Sequence, residues 1–487
     1  MNPSSRVSRH IAVDLGAESG RVILGTIENG KINLEVIHRF PSVNGLSDGK
    51  LRWDHPAIFA QICAGLALVA QRGVTVDSIG VDTWGVDYGL VDAAGNLVEG
   101  ACCYRDERTK GVPEQVLALV GGDQALFART GVASLIFNTI YQLVAHKRDC
   151  AASLDSATRM LFTPDLLHTW LGGEAVTEWS IAGTSQLLKA GKPEWDDSLI
   201  ATLGLPRKLF QKIVKPGTRT GTLKPELVKK LGFSQAPAIV VPASHDTSAA
   251  VAASPGDPDT TVYLSSGTWS LLGCITDLPL TSAEALAAGC SNETSADGRA
   301  RVNRNIMGLW LVQETRRAFE AAGRNYSYQQ LADMAAACPP SAATLDVNDG
   351  RFLSATGGGA APMPERIAAW CTERNLAIPA SDGALVRFIL DGLAATYATS
   401  VKDLARLTGR RFTAVHVIGG GSQNTLLNQL TADACGLPVI AGPVEATALG
   451  NILVQAIGLG LPAAEARKLV MSCADISQYQ PSKAAKA

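Results

Sequence analysis

The stretch SHDTSAAVAA, Ser244 to Ala253, sets an aspartate between a Val-rich run and a helix-like run of Ala and Val. A carboxylate at Asp246 has two uses there. It can cap a helix by accepting a backbone N–H, as can Ser244 or Thr247. If it lines a cleft, it can instead take the proton of a hydroxyl group as that oxygen attacks a terminal phosphate. Two other stretches could hold the phosphates. DLGAESGR, Asp14 to Arg21, places a carboxylate at a strand end before a Gly-containing turn. Backbone amides of such a turn can bind phosphate oxygens, and Asp14 can hold Mg2+ through water. LSSGTWS, Leu264 to Ser270, repeats the design with Ser265, Ser266, Gly267 and Thr268. Either turn alone is equally an ordinary hairpin whose glycines permit positive φ. As a pair facing each other they could grip a polyphosphate from both sides.

Three further stretches carry ligand chemistry. DTWGVD, Asp82 to Asp87, offers two carboxylates, an indole and a glycine. Sugars are held by such carboxylates beside an aromatic face, although Trp84 could equally fill a core. HVIGGGSQNTLLNQL ends a strand in Gly419, Gly420 and Gly421 and then starts a helix, so a flat ligand can approach the backbone closely. Ser422 is the candidate N-cap of that helix. NRNIMGLWLVQE runs from a polar strand end into an apolar helix, where Asn305 and Gln313 could reach ligand or serve as turn and surface residues. Neither a GxGxxG fingerprint nor a GxxxxGK[ST] loop accompanies these glycines, so any nucleotide is bound by another device.

The elements that must position these residues follow from periodicity. HIAVDLG, GRVILGTIE and KINLEVIHRF alternate apolar and polar residues between Gly-rich turns, predicting three consecutive strands. A helix is predicted from Pro56 to about Gln71. DSIGVDTWGVDYGLVDAAGN predicts a hairpin around Thr83, Trp84 and Gly85. TTVYLSSGTWSLLGCIT repeats the design of HIAVDLGAESGRVILGTI, and a repeat at so long a spacing points to a duplicated domain rather than a solenoid. The last third predicts a long helix over 381–408, the strand AVHVIGGG, a helix in TLLNQLTADACG, the strand PVIAGP and a helix through EATALGNILVQAIG. Alternating strands and helices argue for an α/β fold. Connections are expected at 349–365 and, as the domain boundary, at 252–260.

A chain of 487 residues exceeds one ordinary core, so two domains are expected, 1–250 and 251–487. Hydrophobic residues at 46% and charged residues at 18% indicate a chain able to bury sizeable cores. With 43 Lys and Arg against 45 Asp and Glu, no basic footprint for nucleic acid or an anionic membrane exists. The N-terminus lacks a signal-like apolar region, and no uncharged run reaches the ~20 residues of a span, so a cytoplasmic location is expected. Ten cysteines without CxxC and seven histidines without HxxxH or HxH favour buried thiols over a zinc site or a disulfide framework.

Taken together, DLGAESGR, DTWGVD, SHDTSAAV, YLSSGTWSLLG, NIMGLWLVQE and the segment IGGGSQNTLLNQLTADACGLPVIAGPVEATALGN resemble the FGGY family of carbohydrate kinases over about residues 11 to 455. DTWGVD and NIMGLW are most similar to members that phosphorylate L-rhamnulose. The resemblance implies an α/β fold of two actin-like, ribonuclease-H-like domains flanking a deep cleft, with sugar and the first phosphate turn on 1–250 and nucleotide on 251–487. It implies transfer of the ATP γ-phosphate to the 1-hydroxyl of L-rhamnulose, in L-rhamnose catabolism, with ATP as co-substrate and Mg2+. Asp246 would be the proton acceptor. His245, Asp246, Thr247, Gly85 and Asn305 would contact sugar, and the residue types of DTWGVD add Trp84 and Asp87 to the expected sugar-binding set. Ala17, Glu18, Ser19, Gly20, Arg21, Thr268, Gln313, Gly420 and Gly421 would contact ATP, and Asp14 would lie near Mg2+. Glu18 departs from the family pattern, where a small hydroxyl residue is common. A carboxylate aimed at phosphates would repel them by several kcal/mol at low dielectric, so its side chain is expected to turn to solvent. Kinases of L-fuculose or L-xylulose, and an actin-like ATPase without a sugar substrate, remain alternatives at this point.

Overall fold

The computed structural model of the chain describes residues 7–353, 360–473 and 475–482. Part of the predicted 349–365 connection, residues 354–359, lies outside the described residues. The chain divides into two compact units, one of Met1–Pro255, Ile275–Val302 and Ala446–Cys473, the other of Gly256–Cys274, Asn303–Glu445 and Ala474–Ala487. The first change of unit falls inside the expected 252–260 boundary. Neither unit is a single segment, however, because 275–302 and 446–473 return to the first.

In the first unit Ser8–Leu15, Ser19–Glu28 and Lys31–Pro41 are consecutive antiparallel strands, as their alternation predicts. Ser8–Leu15 also pairs in parallel with Ser78–Thr83, which pairs in parallel with Ala238–Val241, and Thr218–Thr222 closes the edge antiparallel. Every residue of Ser78–Thr83 is buried, the mark of a strand covered on both faces with a neighbour on each side. The predicted hairpin over DSIGVDTWGVDYGLVDAAGN is therefore corrected. Tyr88–Val91 leaves this sheet and pairs instead with Arg159–Phe162. Val86 sits at φ 68 in the left-handed region, and this turns the chain out of the sheet between the two strands.

The second unit repeats the ladder. Thr261–Ser266 pairs antiparallel with Trp269–Thr276 and parallel with Ala414–Ile418. Ala414–Ile418 pairs parallel with Val439–Ala441, and Ser477–Tyr479 closes antiparallel. Over these five strands the order and directions match those of the first sheet, so the long-spaced sequence repeat corresponds to a repeat of structure.

The helices are set by their ends. His55–Ala70 starts at Asp54, whose carboxylate accepts the Ala57 N–H at 2.9 Å, and carries Pro56 in its first turn. Asp382–Thr408 starts at Ser381 and stops at Gly409, φ 67. It is long and apolar enough to cross a membrane by length and composition, yet 72% of its most apolar window is buried within the protein. Thr425–Cys435 is capped by Asn424, which accepts the Leu427 N–H at 3.0 Å, and not by Ser422, whose hydroxyl donates to the Gly419 carbonyl at 2.7 Å. Ala446–Gly458 lies in the first unit against the helix Asp246–Ala252. Gly450 is the close approach: a Cβ there would stand 1.8 Å from the Ala249 carbonyl oxygen.

Candidate active site

The strand Ala238–Val241 runs into Ser244 and His245, and the helix Asp246–Ala252 starts immediately afterwards. His245 occupies the N-cap without a side-chain capping bond, so neither Ser244, Asp246 nor Thr247 caps the helix from outside it. The backbone here is pinned from two elements. Thr83 N–H donates to the Ser244 carbonyl at 2.9 Å. The fully buried Glu178 carboxylate accepts the Ser244 N–H at 3.0 Å and the Ser180 hydroxyl at 2.6 Å, and that hydroxyl accepts the His245 N–H at 3.2 Å. Asp246 is thus the first residue of a helix on a fixed support. Its Oδ1 accepts from the Thr247 N–H and, at 3.1 Å, from the Thr247 hydroxyl, while its side chain stays 32% exposed. The His245 ring lies between two carboxylates: Nδ1 is 2.8 Å from Glu293 Oε2 and Nε2 is 3.5 Å from Asp246 Oδ1. The Arg301 guanidinium, 0% exposed, pairs with the same Glu293 oxygen and sits 3.2 Å from Nδ1.

Two more carboxylates share this neighbourhood. Asp14 and Asp82 are register partners on adjacent parallel strands, and Arg21, across the hairpin from Asp14, is ion-paired to it. Asp82 is completely buried. Burial, then the nearby charge of Asp14, pushes its carboxyl well above the usual range; Asp246 adds to the shift, whereas a 2.5 Å hydrogen bond from Asn451 Nδ2 and the charge of Arg21 oppose it. Asp82 Oδ1 has no hydrogen-bond partner among the described residues. Among those residues no three His, Cys, Asp or Glu side chains are spaced to ligate a metal directly. A group of carboxylate oxygens that repel one another nevertheless suits a hard divalent cation held through its waters, as Mg2+ is.

The first turn closes with Gly16 N–H on the Ser19 carbonyl, 2.9 Å, and the Ser42 hydroxyl on the Gly16 carbonyl, 2.6 Å. Ala17 is half-buried, Ser19 exposed, and Gly20 fits where a Cβ would meet Leu15 Cδ2 at 2.4 Å. The Glu18 side chain is 86% exposed, 4.0 Å from Arg105. Trp84 and Asp87 turn inward. Asp87 accepts from Trp53 Nε1 at 2.6 Å, from Trp84 Nε1 and Tyr104 N–H at 3.0 Å each, and from Gln142 Nε2 at 3.0 Å. Burial raises its carboxyl, and those four bonds oppose the rise. The rings of Trp53 and Trp84 lie 4.2 Å apart. Both residues are thus held by protein partners, and only Gly85 of this stretch is half-exposed, with Thr184 close enough to crowd any side chain placed there.

In the second unit the turn after Thr261–Ser266 lies on the N-terminus of the helix Trp310–Ala321. Leu309 N–H donates to the Gly267 carbonyl at 3.0 Å and Trp310 N–H to that of Thr268 at 3.1 Å. The exposed Thr268 hydroxyl reaches Gln313 Oε1 at 3.3 Å. Gly421 packs on the same turn so tightly that a Cβ would fall 2.0 Å from Ser266 Oγ, and Gly419 turns the chain at φ 83, leaving Gly420 exposed. Thr268, Gln313 and Gly421 are thereby brought together around Ser266 to Thr268. Asn305 is exposed on the strand Ala300–Met307.

Sequence reasoning passed over Asp82, Glu178, Glu293, Arg301 and Asn451. Asp82 stood inside a quoted motif, but its partnership with Asp14 needs the parallel register. The others carry no spacing signal.

Comparison with known proteins gives the following. Residues 10–253 match the N-terminal domain, and residues 262–459 the C-terminal domain, of the FGGY family of carbohydrate kinases. A rhamnulokinase of Bacteroides thetaiotaomicron is 39% identical over 472 residues, covering 96% of this chain and 95% of its own. One of Enterococcus faecalis is 41% identical over 454 residues, covering 93% and 89%. Among solved structures, a xylulose kinase from Lactobacillus acidophilus aligns with TM-score 0.79 at 17% identity, over 98% of this chain and 94% of that one. A Plasmodium falciparum glycerol kinase with ADP aligns with TM-score 0.76 at 13% identity, over 98% and 94%. These structural likenesses show the fold, mixed α/β with two sheet-based units of actin-like design.

Proposed function

The chain belongs to the FGGY family of carbohydrate kinases, and on that footing we propose that it transfers the γ-phosphate of ATP to the 1-hydroxyl of L-rhamnulose, giving L-rhamnulose 1-phosphate and ADP. The similarity to rhamnulokinases over nearly the whole chain supports the substrate. The observation that carries the chemistry is the place of Asp246, a partly exposed carboxylate at the first helical residue on a backbone pinned by Glu178 and Thr83. Phosphoryl transfer asks for positioning and charge neutralisation more than covalent chemistry. The sugar O1–Pγ bond forms as the bond from Pγ to the β–γ bridging oxygen breaks, and the O1 proton passes to Asp246.

In this reading His245, Thr247, Gly85 and Asn305 contact the sugar. The turn Ala17, Glu18, Ser19, Gly20 and Arg21 meets ATP through its backbone, with Glu18 directed to solvent, and Thr268, Gln313, Gly420 and Gly421 line the rest of the nucleotide. Asp14 would hold Mg2+ through water, where the ion supplies charge neutralisation to the phosphates. Trp84 and Asp87, buried on either side of Gly85 in the chain and hydrogen-bonded to each other, support the sugar side from within. A cytoplasmic site of action fits a substrate pair of ATP and a small sugar.

A coupled ADP assay with L-rhamnulose, L-fuculose, L-xylulose and glycerol tests the proposal. The expected result is kcat/KM at least tenfold higher for L-rhamnulose than for any other. A preference for another ketose would overturn the substrate, and ADP release at an equal rate without sugar would overturn the kinase.

A further inference from the structure

We infer that Thr184 is a positioning residue for the sugar, whose hydroxyl holds a strained turn at Val86 that presents the Gly85 backbone to the substrate; the inference rests on the proposed contact between Gly85 and the sugar. The Asp87 N–H donates to the Gly85 carbonyl at 2.9 Å across Val86, whose φ is 68. A hydrogen bond closed over three residues with positive φ at the centre is a γ-turn of the rare, strained hand. Val86 is β-branched, which makes the region costlier still, so the turn persists only where its surroundings impose it.

Those surroundings clamp Val86 from two separate elements. Its N–H donates to Thr184 Oγ1 at 3.0 Å, and its carbonyl accepts from Thr139 Oγ1, at the start of the helix Thr139–Ser156, at 2.7 Å. The Thr184 hydroxyl donates to the Ile181 carbonyl at 2.8 Å, so its proton is committed and its oxygen is left to accept. Both threonines are buried. Thr184 also bounds Gly85, where an added Cβ would stand 3.0 Å from Thr184 Cγ2. Gly85 is half-exposed and its N–H makes no hydrogen bond among the described residues, so the turn offers a donor to a hydroxyl of the ligand.

The spacing from this turn to Asp246 has the same source. Thr83, two residues before Gly85, is the bridge partner of His245. Thr184 follows the helical turn Trp179–Ala182, whose Ser180 and Ile181 N–H groups donate to Glu178 at 2.7 and 3.1 Å, and the same carboxylate holds the Ser244 N–H. One short segment, Glu178 to Thr184, therefore fixes both the sugar turn and the approach to the proton acceptor.

Two measurements test this. Steady-state kinetics are run with whichever ketose the parent prefers, so that a different substrate preference leaves the test intact. Thr184→Val keeps the shape and removes the hydroxyl; kcat/KM for the sugar should fall at least about tenfold with KM for ATP within about twofold, and Thr184→Ser, which keeps the hydroxyl, should restore the parent values. Thr139→Val releases the other end of the turn, should give the same sugar-specific loss, and serves where Thr184→Val does not fold. Thermal melting then compares Val86→Gly with Val86→Ala, with no substrate present. Glycine ordinarily melts below alanine because its unfolded chain is freer, but at a positive φ it should melt above it. Equal losses toward sugar and ATP, Thr184→Ser as impaired as Thr184→Val, or Val86→Gly melting no higher than Val86→Ala would overturn the inference. Sugar kinetics that hold in Thr184→Val while Val86→Gly melts higher would overturn it too, and would place the failure in the contact between Gly85 and the sugar.

Discussion

The helix that begins at Asp246 is packed against a glycine far along the chain, and this gives a prediction with a worked magnitude. Gly450 lies in the helix Ala446–Gly458, and the Cβ of Gly450→Ala would stand 1.8 Å from the Ala249 carbonyl oxygen and 2.7 Å from its carbon. Both obstructing atoms are backbone, so no side chain can swing aside. Ordinary contact begins near 3.4 Å, so the two helices must part by about 1.6 Å at this point. Ala249 is one turn from Asp246 in the helix Asp246–Ala252, and Asn451, next to Gly450, holds Asp82. A displacement of ~1 Å at a reacting group costs about 100-fold in rate. Overpacking of this kind costs about 1–3 kcal/mol of stability. We therefore expect Gly450→Ala to lose about 100-fold in kcat in the coupled ADP assay, with Tm several degrees lower by differential scanning fluorimetry. Gly45→Ala, whose methyl meets open space, is the control and should change neither. Turnover of Gly450→Ala within twofold of the parent, at unchanged Tm, would show that the packing does not set the position of Asp246.

Gly421→Ala would press on Ser266, with Oγ 2.0 Å, Cβ 2.5 Å and carbonyl oxygen 2.8 Å from the new methyl. KM for ATP should rise about tenfold with KM for sugar within twofold, an expectation drawn from the cost of overpacking. Adding Ser266→Ala should not restore it, because the Cβ and carbonyl contacts persist. Low pH should destabilise the first unit through buried neutral histidines. Burial lowers His10 and His55 to about 4 and His168 to about 3, and His168 Nε2 must remain a lone pair to accept the Val81 N–H at 2.9 Å. These pKa values are lower folded than unfolded, so unfolding takes up protons between the folded values and the ordinary 6.5. The stability is present above pH 6.5 and lost as pH falls toward 4, at about 4 kcal/mol per pH unit near pH 5 for three groups. Tm recorded from pH 7 to pH 5 checks this, and a Tm that holds constant would contradict it.

Much of the architecture was legible because its signals are local. The three opening strands alternate cleanly between Gly turns, Pro56 marks a helix start, and the two hydroxyl-and-glycine turns sit in equivalent ladders. The hairpin expected around Trp84 failed because Ser78–Thr83 takes parallel neighbours far along the chain, at Ser8–Leu15 and Ala238–Val241, which no local pattern announces. The helix cap moved from Ser422 to Asn424 because the Ser422 hydroxyl is spent on the Gly419 carbonyl. The return of 275–302 and 446–473 to the first unit was invisible for the same reason, and with it the reach of Glu293, Arg301 and Asn451 to the site. The place of Asp246 at a helix start was legible from residue type and the run that follows it; the surrounding Asp82, Glu178, Glu293 and Arg301 were not.

The most direct test of the account is the turnover of Asp246→Asn. The substitution preserves size, leaves the Glu178 anchor on Ser244 untouched and removes the negative charge together with the capacity to accept a proton. The account predicts a folded protein with parental Tm and ATP affinity whose kcat with L-rhamnulose falls more than ~100-fold. Turnover near the parent's would contradict it.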